Sequence, residues 1–205
     1  MPAGWLLLVV LARAELAPPD YTTSLTEAAA KEVARVGEEQ GAGEAEKFAR
    51  RWTRAFGPTA RVTYELGLAW RLAGDDAHAR RFLDEALVLD PELVAARYDR
   101  GEIRLADGDL DGAEDDFRVV VRSSPGAWAG WFRMAQIAGQ RGDATAFEAH
   151  LLRALRTGFQ VRAVAQDPTW RSLLQAPEVG PVLERLVLVY QGPEVLRELG
   201  EIPRE

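Results

Sequence analysis

The sequence has no cysteine among its 205 residues and only two histidines, His78 and His150. The absence of cysteine excludes disulfides, thiolate zinc sites, a cysteine nucleophile and attachment of a lipid through a cysteine. A phosphate-binding glycine loop, a nucleophile elbow and a two-histidine metal helix are missing as well. The sequence therefore predicts neither a cofactor nor a metal site, and an enzyme is the least favoured class of function.

Positive charge is also in short supply. The chain has 25 Lys and Arg against 32 Asp and Glu, which gives a net charge of -7. An acidic surface repels phosphate groups, so neither a general nucleic-acid binder nor a binder of anionic membranes is expected. With 47% hydrophobic and 28% charged residues, the composition is typical of one soluble globular or solenoid domain.

Hydrophobic runs long enough to cross a bilayer are missing too. Trp5 to Ala12 is an unbroken apolar run of eight residues, well below the ~20 that a membrane-spanning helix needs. Ala12-Arg13-Ala14 follows with the small-x-small form of a signal-peptidase site. This pattern predicts a secretory signal over residues 1–14, no stable membrane span, and export to the periplasm or the cell exterior. The alternative is an ordinary hydrophobic first segment in a cytoplasmic protein.

What the sequence does contain is a repeat of 34 residues between about Ala60 and Gly158. A glycine followed by aspartate recurs at this interval, as Gly74-Asp75, Gly108-Asp109 and Gly142-Asp143. Small, aromatic and larger apolar residues keep the same spacing, in the sets Gly67, Gly101 and Ala135; Tyr64, Tyr98 and Phe132; and Leu83, Phe117 and Leu151. A period of this length without strand-like alternation predicts a stack of helical hairpins.

Each recurring position has a physical reason. Glycine tolerates the left-handed conformation that ends a helix, and aspartate caps the next helix, so the first helix of a unit should end near Gly74 and the second should start just after it. Small residues such as Gly101 and Ala113 let the two helices of a unit cross closely. Pro91 and Pro125 block continuation of the second helix.

These residues resemble the tetratricopeptide repeat (TPR) family. With Ala60 as the first position, six residues of the first unit fall on signature positions: Leu66, Gly67, Trp70, Ala79, Ala86 and Pro91. The later units depart from the signature, since Arg104 replaces an aromatic residue, Phe147 a small one and Phe159 a proline. The resemblance implies an all-α solenoid of helical hairpins, a right-handed superhelix closed by capping helices.

The resemblance also implies a division of the chain. Residues 60–93, 94–127 and 128–160 are the three clear repeats. Residues 15–59 form a degenerate repeat, in which Phe48, Trp52 and Phe56 lie on one helix face. The adjoining arginines Arg50, Arg51, Arg54 and Arg61 are interpreted as a solvated face in preference to a nucleic-acid patch. Residues 161–205 are short helices separated by prolines, which cover the exposed apolar face of the last repeat.

One stretch looks like a calcium site. Asp107, Asp109 and Asp111 reproduce the first half of an EF-hand loop, but its twelfth position, which needs a carboxylate, is Arg118. The repeat frame also places Gly108-Asp109 in the turn between two helices. The helix-turn interpretation is therefore favoured over metal binding.

In the TPR family the first helices of the repeats line a groove that receives a peptide or a helix of a partner. The repeat frame carries this groove to ten residues: Arg61, Tyr64, Leu68, Arg71, Tyr98, Glu102, Leu105, Phe132, Gln136 and Gln140. Aromatic residues are frequent anchors of interfaces, so Tyr64, Tyr98 and Phe132 form a candidate binding ladder. The equally weighted alternative is that the three rings only pack against the adjacent helix.

The resemblance thus implies a non-enzymatic adaptor that binds a protein or peptide partner. A clamp for the carboxylate at a chaperone's C-terminus is not expected, because Tyr64 and Leu68 stand where that TPR class has lysine and asparagine. The alternative function is a structural or self-associating subunit of the cell envelope, for which a homo-oligomer is expected.

Overall fold

The protein is described from a computed structural model, in which residues 19–164 and 167–200 are defined. Within them lie eleven α-helices and no strand. The helices are α1 Pro19–Gln40, α2 Ala42–Phe56, α3 Ala60–Leu72, α4 Asp76–Leu89, α5 Val94–Ala106, α6 Leu110–Ser123, α7 Trp128–Gln140, α8 Ala144–Arg156, α9 Pro168–Gln175, α10 Gly180–Tyr190 and α11 Pro193–Gly200. A 3-10 turn covers Val161–Val164. The predicted all-α hairpin fold is confirmed.

None of the helices in the defined part of the chain has the length and apolar character needed to span a membrane. The chain divides within α5, between Ile103 and Arg104, into two compact units. These units are described in turn.

The predicted turns between paired helices are present. Each glycine adopts a left-handed conformation, with φ of 78° at Gly74, 80° at Gly108 and 72° at Gly142. The aspartate after each glycine accepts a hydrogen bond from a backbone N–H three residues later, as Asp75 does from His78, Asp109 from Gly112 and Asp143 from Ala146. Asp109 is therefore a helix cap, which accounts for the EF-hand-like stretch.

The first unit is built on α1 to α4 and the first part of α5. Helices α1 and α3 approach so closely that a Cβ atom added to Gly37 would lie 2.7 Å from the Cβ of Ala69. The core beneath them includes Val33, Trp52 and Val62. Helix α1 begins at Pro19. Proline suits a first helical position because its fixed φ is already helical.

The crossing of α3 and α4 confirms the role of small residues in the repeat. A Cβ atom on Gly67 would meet the Leu83 side chain at 3.2 Å and the Ala79 carbonyl oxygen at 3.3 Å. Ala79 and Leu83 are both fully buried. Nothing larger than glycine fits at this position of α3 without a shift of its neighbours.

The second unit contains α6 to α11 and ends in the predicted short capping helices. Trp170 of α9 is fully buried and stacks on Phe132 of α7 with ring centroids 4.9 Å apart. Phe147, which replaces a small residue of the repeat, fits because Gly139 faces it; a Cβ atom on Gly139 would lie 3.0 Å from its ring. The apolar face of the α7–α8 hairpin is thus covered by α9 to α11.

Candidate protein-binding surface

The predicted groove residues of the first repeat lie along one stripe of α3, because residues at i, i+3 and i+4 share a helix face. Within this stripe, Tyr64 and Arg71 are tied to α5. The Tyr64 hydroxyl donates to Asp99 Oδ2 at 2.9 Å, and the Arg71 guanidinium donates to Asp99 Oδ1 at 2.6 Å. Asp99 therefore braces α3 against α5 and fixes the direction of the Arg71 side chain.

The brace sits in a partly desolvated environment. Burial raises the pKa of the Asp99 carboxyl, although Tyr64 and Arg71 act in the opposite direction. Burial, reinforced by the charge of Asp99, also raises the pKa of the Tyr64 hydroxyl above its usual value. The hydroxyl therefore stays protonated and remains a hydrogen-bond donor at neutral pH.

A second ion pair lies one turn towards the start of α3. Arg61 and Glu65 are 2.8 Å apart, and the Arg61 guanidinium carbon lies 5.4 Å from the centre of the Tyr64 ring. Glu65 is buried, and this burial raises the pKa of its carboxyl. Arg61 is thus held over Tyr64 by a charge contact and a cation–π contact.

Apolar surface remains open next to the Asp99 brace. Leu68, Arg71 and Leu72 line a cavity of about 390 Å³. Leu72, the last residue of α3, is 72% exposed. The surface therefore offers an apolar side chain beside a guanidinium whose orientation is fixed.

The other predicted groove residues differ from one another in their exposure to solvent. Tyr98 and Glu102 of the first unit are half-buried, whereas Leu105, Phe132 and Gln136 of the second unit are buried and Gln140 is exposed. Phe132 belongs to the core around Trp170 and Phe159. Burial of Tyr64 and Phe132 agrees with the packing alternative for these two rings. Partner binding by the ten residues stays a prediction.

Two residues of this surface were not among the predicted groove residues. Leu72 follows Leu68 by four positions, so the helical spacing of apolar residues on α3 could have identified it. Asp99 carries no such signal, because its partners Tyr64 and Arg71 are on another helix and 28 or more positions away.

The arrangement is suited to binding. A fixed guanidinium donates to carboxylate or carbonyl oxygens in a set geometry, and the exposed side chain of Leu72 takes up an apolar group of a partner.

Comparison with known proteins agrees with this fold. A profile described as "Tetratricopeptide repeat" matches residues 79–127 and 98–168. MamA 41-end from Desulfovibrio magneticus RS-1 is 16% identical, covers 86% of this chain and 97% of its own, and has a TM-score of 0.63. A search of curated proteins finds no match.

Two further solved structures share the fold. A structure of MamA AMB-1 is 13% identical, with 88% of this chain and 92% of that chain covered and a TM-score of 0.60. PilF from Pseudomonas aeruginosa is 12% identical, with 85% and 90% covered and a TM-score of 0.57. The profile match confirms the resemblance found in the repeats over residues 79–168, which form tetratricopeptide repeats, and the solved structures share this fold.

Proposed function

We propose that the chain is a non-enzymatic adaptor that binds a protein or peptide through the first-helix face of its repeats. Within the first unit, the proposed contact surface is centred on Leu68, Arg71 and Leu72. The observation that carries the proposal is the 72% exposure of Leu72 beside an arginine held at 2.6 Å by Asp99.

The energetics favour this surface as an anchor. Burial of a leucine side chain by a partner contributes about 1.5–3 kcal/mol. Because Asp99 already orders the Arg71 side chain, less conformational entropy is lost when the guanidinium contacts a partner. We therefore expect a partner segment that places an apolar side chain against Leu72 and a carboxylate or carbonyl oxygen against Arg71.

Export is part of the proposal and rests on the sequence, since residues 1–14 lie outside the defined part of the structure. The support is the apolar run from Trp5 to Ala12 followed by Ala12-Arg13-Ala14. The expected mature chain begins at Glu15. Intact-mass measurement of the native protein tests this, and a full-length chain in the cytoplasm would contradict it.

The binding surface is tested by quantitative capture of envelope proteins on the immobilised chain. Leu72→Glu should reduce capture of its specific partners at least tenfold, because it places a charge where apolar contact is expected. The matched control is Val88→Glu on α4, which changes a residue that is 82% exposed on a second helix. Equal loss in both variants, or in neither, would contradict the proposed surface.

Tyr98→Ala probes the predicted aromatic ladder in the same assay. Tyr98 is half-buried, so loss of its ring should weaken capture about tenfold while the helical circular-dichroism signal is retained. Unfolding of this variant would assign the ring to packing, and full capture by a folded variant would remove Tyr98 from the binding surface.

A further inference from the structure

A separate groove lies on the opposite side of α3, between the second helices α2 and α4 of the first unit. Its cavity has a volume of about 470 Å³. Val62 and Leu66 of α3 lie at its base, and these positions are roughly opposite Leu68 and Arg71 because each residue advances about 100° around a helix. Ala49 of α2 and Phe82 of α4 complete an apolar base.

The rim of this groove is charged. Arg50 and Arg54 project from α2, Arg81 from α4, and Glu46 and Glu85 stand among them. Glu46 pairs with Arg50 at 2.5 Å. The Arg81 guanidinium lies over the Phe82 ring, 4.3 Å from the ring centroid, and has only long contacts with carboxylates, at 4.0 Å from Glu46 and 3.8 Å from Glu85.

Arg54 differs from the other rim arginines. It is exposed and makes no hydrogen bond or ion pair with any other side chain in residues 23–164 and 167–200. Arg54 and Arg81 therefore keep donors that are available to a ligand. Both are arginines, whose planar guanidinium groups suit carboxylate oxygens.

The rim of the groove has more cationic than acidic side chains. Three arginines and two glutamates line it, in a chain with a net charge of -7. A local excess of cationic side chains favours a partner that carries carboxylates. The groove thus has an apolar base and a net positive rim in an otherwise acidic protein.

We propose that this groove binds an acidic segment of a partner protein, in which an apolar side chain lies between carboxylates. The apolar side chain packs on Val62, Leu66 and Phe82, while the carboxylates pair with Arg54 and Arg81. A polyphosphate such as a nucleic acid fits less well, because Glu46 and Glu85 lie in the same rim and repel a uniformly negative ligand.

The dimensions set the length of the segment. The α2 face from Glu46 to Arg54 is about 12 Å long at 1.5 Å per residue, which matches about four residues of extended chain. The groove therefore accommodates a segment of about four residues. It lies on another face of α3 from the surface around Leu72, so the two surfaces are independent.

Fluorescence anisotropy with a defined peptide tests the proposal. The probe is a labelled eight-residue peptide with leucine at every third position and glutamate elsewhere, added to the purified chain. Arg54→Glu should weaken its binding at least tenfold. Arg51→Glu is the matched control, since it makes the same change of charge at an exposed residue of the same helix outside the groove.

Further arms separate the alternatives. Leu72→Glu should leave peptide binding unchanged, so that failure of the groove and failure of the proposed adaptor surface are distinguishable. A peptide with lysine in place of glutamate should not bind. Absence of peptide binding, equal weakening by Arg51→Glu and Arg54→Glu, or tighter binding of polyuridylate than of the peptide would each overturn the proposal.

Discussion

The first hairpin, α3–α4, and the second hairpin, α5–α6, have the same glycine–aspartate turn but differ in the side-chain contact between their two helices. In the first, Trp70 stacks on His78 with ring centroids 4.5 Å apart and an angle of 22° between planes. In the second, the equivalent position is Arg104, which donates to the Gly112 carbonyl oxygen at 3.1 Å and to Asp116 Oδ2 at 2.8 Å. Gly112 lies 34 residues after His78, so both contacts are made at the same place in the repeat.

The helices have the same lengths in both hairpins, although Arg104 stands where the first hairpin has Trp70. Helices α3 and α5 both have 13 residues, and α4 and α6 both have 14. The hairpin is thus defined by its glycine–aspartate turn and its small crossing residues, whereas the outer contact tolerates an aromatic stack or an ion pair. The departure of Arg104 from the aromatic signature is compensated by Asp116.

The two contacts should differ most in what happens when they are broken. Arg104→Ala removes the guanidinium that pairs with Asp116, which is 0% exposed, and breaking such a buried pair costs about 3–5 kcal/mol. Urea denaturation followed by circular dichroism measures this loss. The double variant Arg104→Met with Asp116→Leu should recover most of it, and a single variant as stable as the wild type would contradict the account.

The second hairpin should tolerate only a small residue at position 113, where its two helices cross. Ala113 is fully buried, and Ala113→Leu should overpack the crossing at a cost of about 1–3 kcal/mol. The third hairpin accepts Phe147 at the equivalent position only because Gly139 faces it, whereas the residue equivalent to Gly139 in the second hairpin is Leu105. Ala77→Leu, at an exposed residue of α4, is the control in the same thermal melts.

Removal of the aromatic stack of the first hairpin should reduce the free energy of unfolding by less than removal of the Arg104–Asp116 pair. A double-mutant cycle with Trp70→Leu and His78→Ala should give a coupling free energy of about 0.5–1.5 kcal/mol, as found for stacked rings. Chemical denaturation of the four proteins of the cycle measures it. A coupling as large as that between Arg104 and Asp116 would remove the distinction between the two hairpins.

In the third hairpin, α7–α8, the equivalent position holds a histidine, which makes its contribution to stability depend on pH. His150 occupies the repeat position of Phe82 and Asp116, and its ring stacks on Trp131 with ring centroids 5.8 Å apart. Burial lowers the pKa of His150, while the charges of Glu114 and Asp143 act in the opposite direction. Because the folded-state pKa is below the unfolded value, the contribution of His150 to stability is present above the unfolded pKa and is lost as the pH falls through the folded pKa.

His150→Phe, which places the residue of the first hairpin in the third, should therefore reduce the loss of stability between about pH 7 and pH 5 by ~1 kcal/mol or less. The difference in unfolding free energy between wild type and variant, measured at several pH values, isolates this contribution from those of the carboxyls. A difference that does not change with pH would contradict it.

The sequence by itself determined the hairpin fold. The 34-residue period, the Gly74-Asp75 type of turn and the small residues at Gly67 and Ala79 act through neighbours in the chain and through helix geometry, so they can be recognised in one dimension. The same holds for the short helices after Pro168, since proline and the spacing of apolar residues punctuate them locally.

Only the tertiary structure decided how individual side chains are used. The Tyr64–Asp99 hydrogen bond joins residues 35 positions apart, and the exposure of Leu72 depends on what packs beside α3. Phe132 is buried because Trp170 covers it, although it shares its repeat position with the half-buried Tyr98. The repeat fixes where a side chain leaves its helix, but the neighbouring helix determines whether that side chain meets protein or solvent, because burial is a property of the packed assembly.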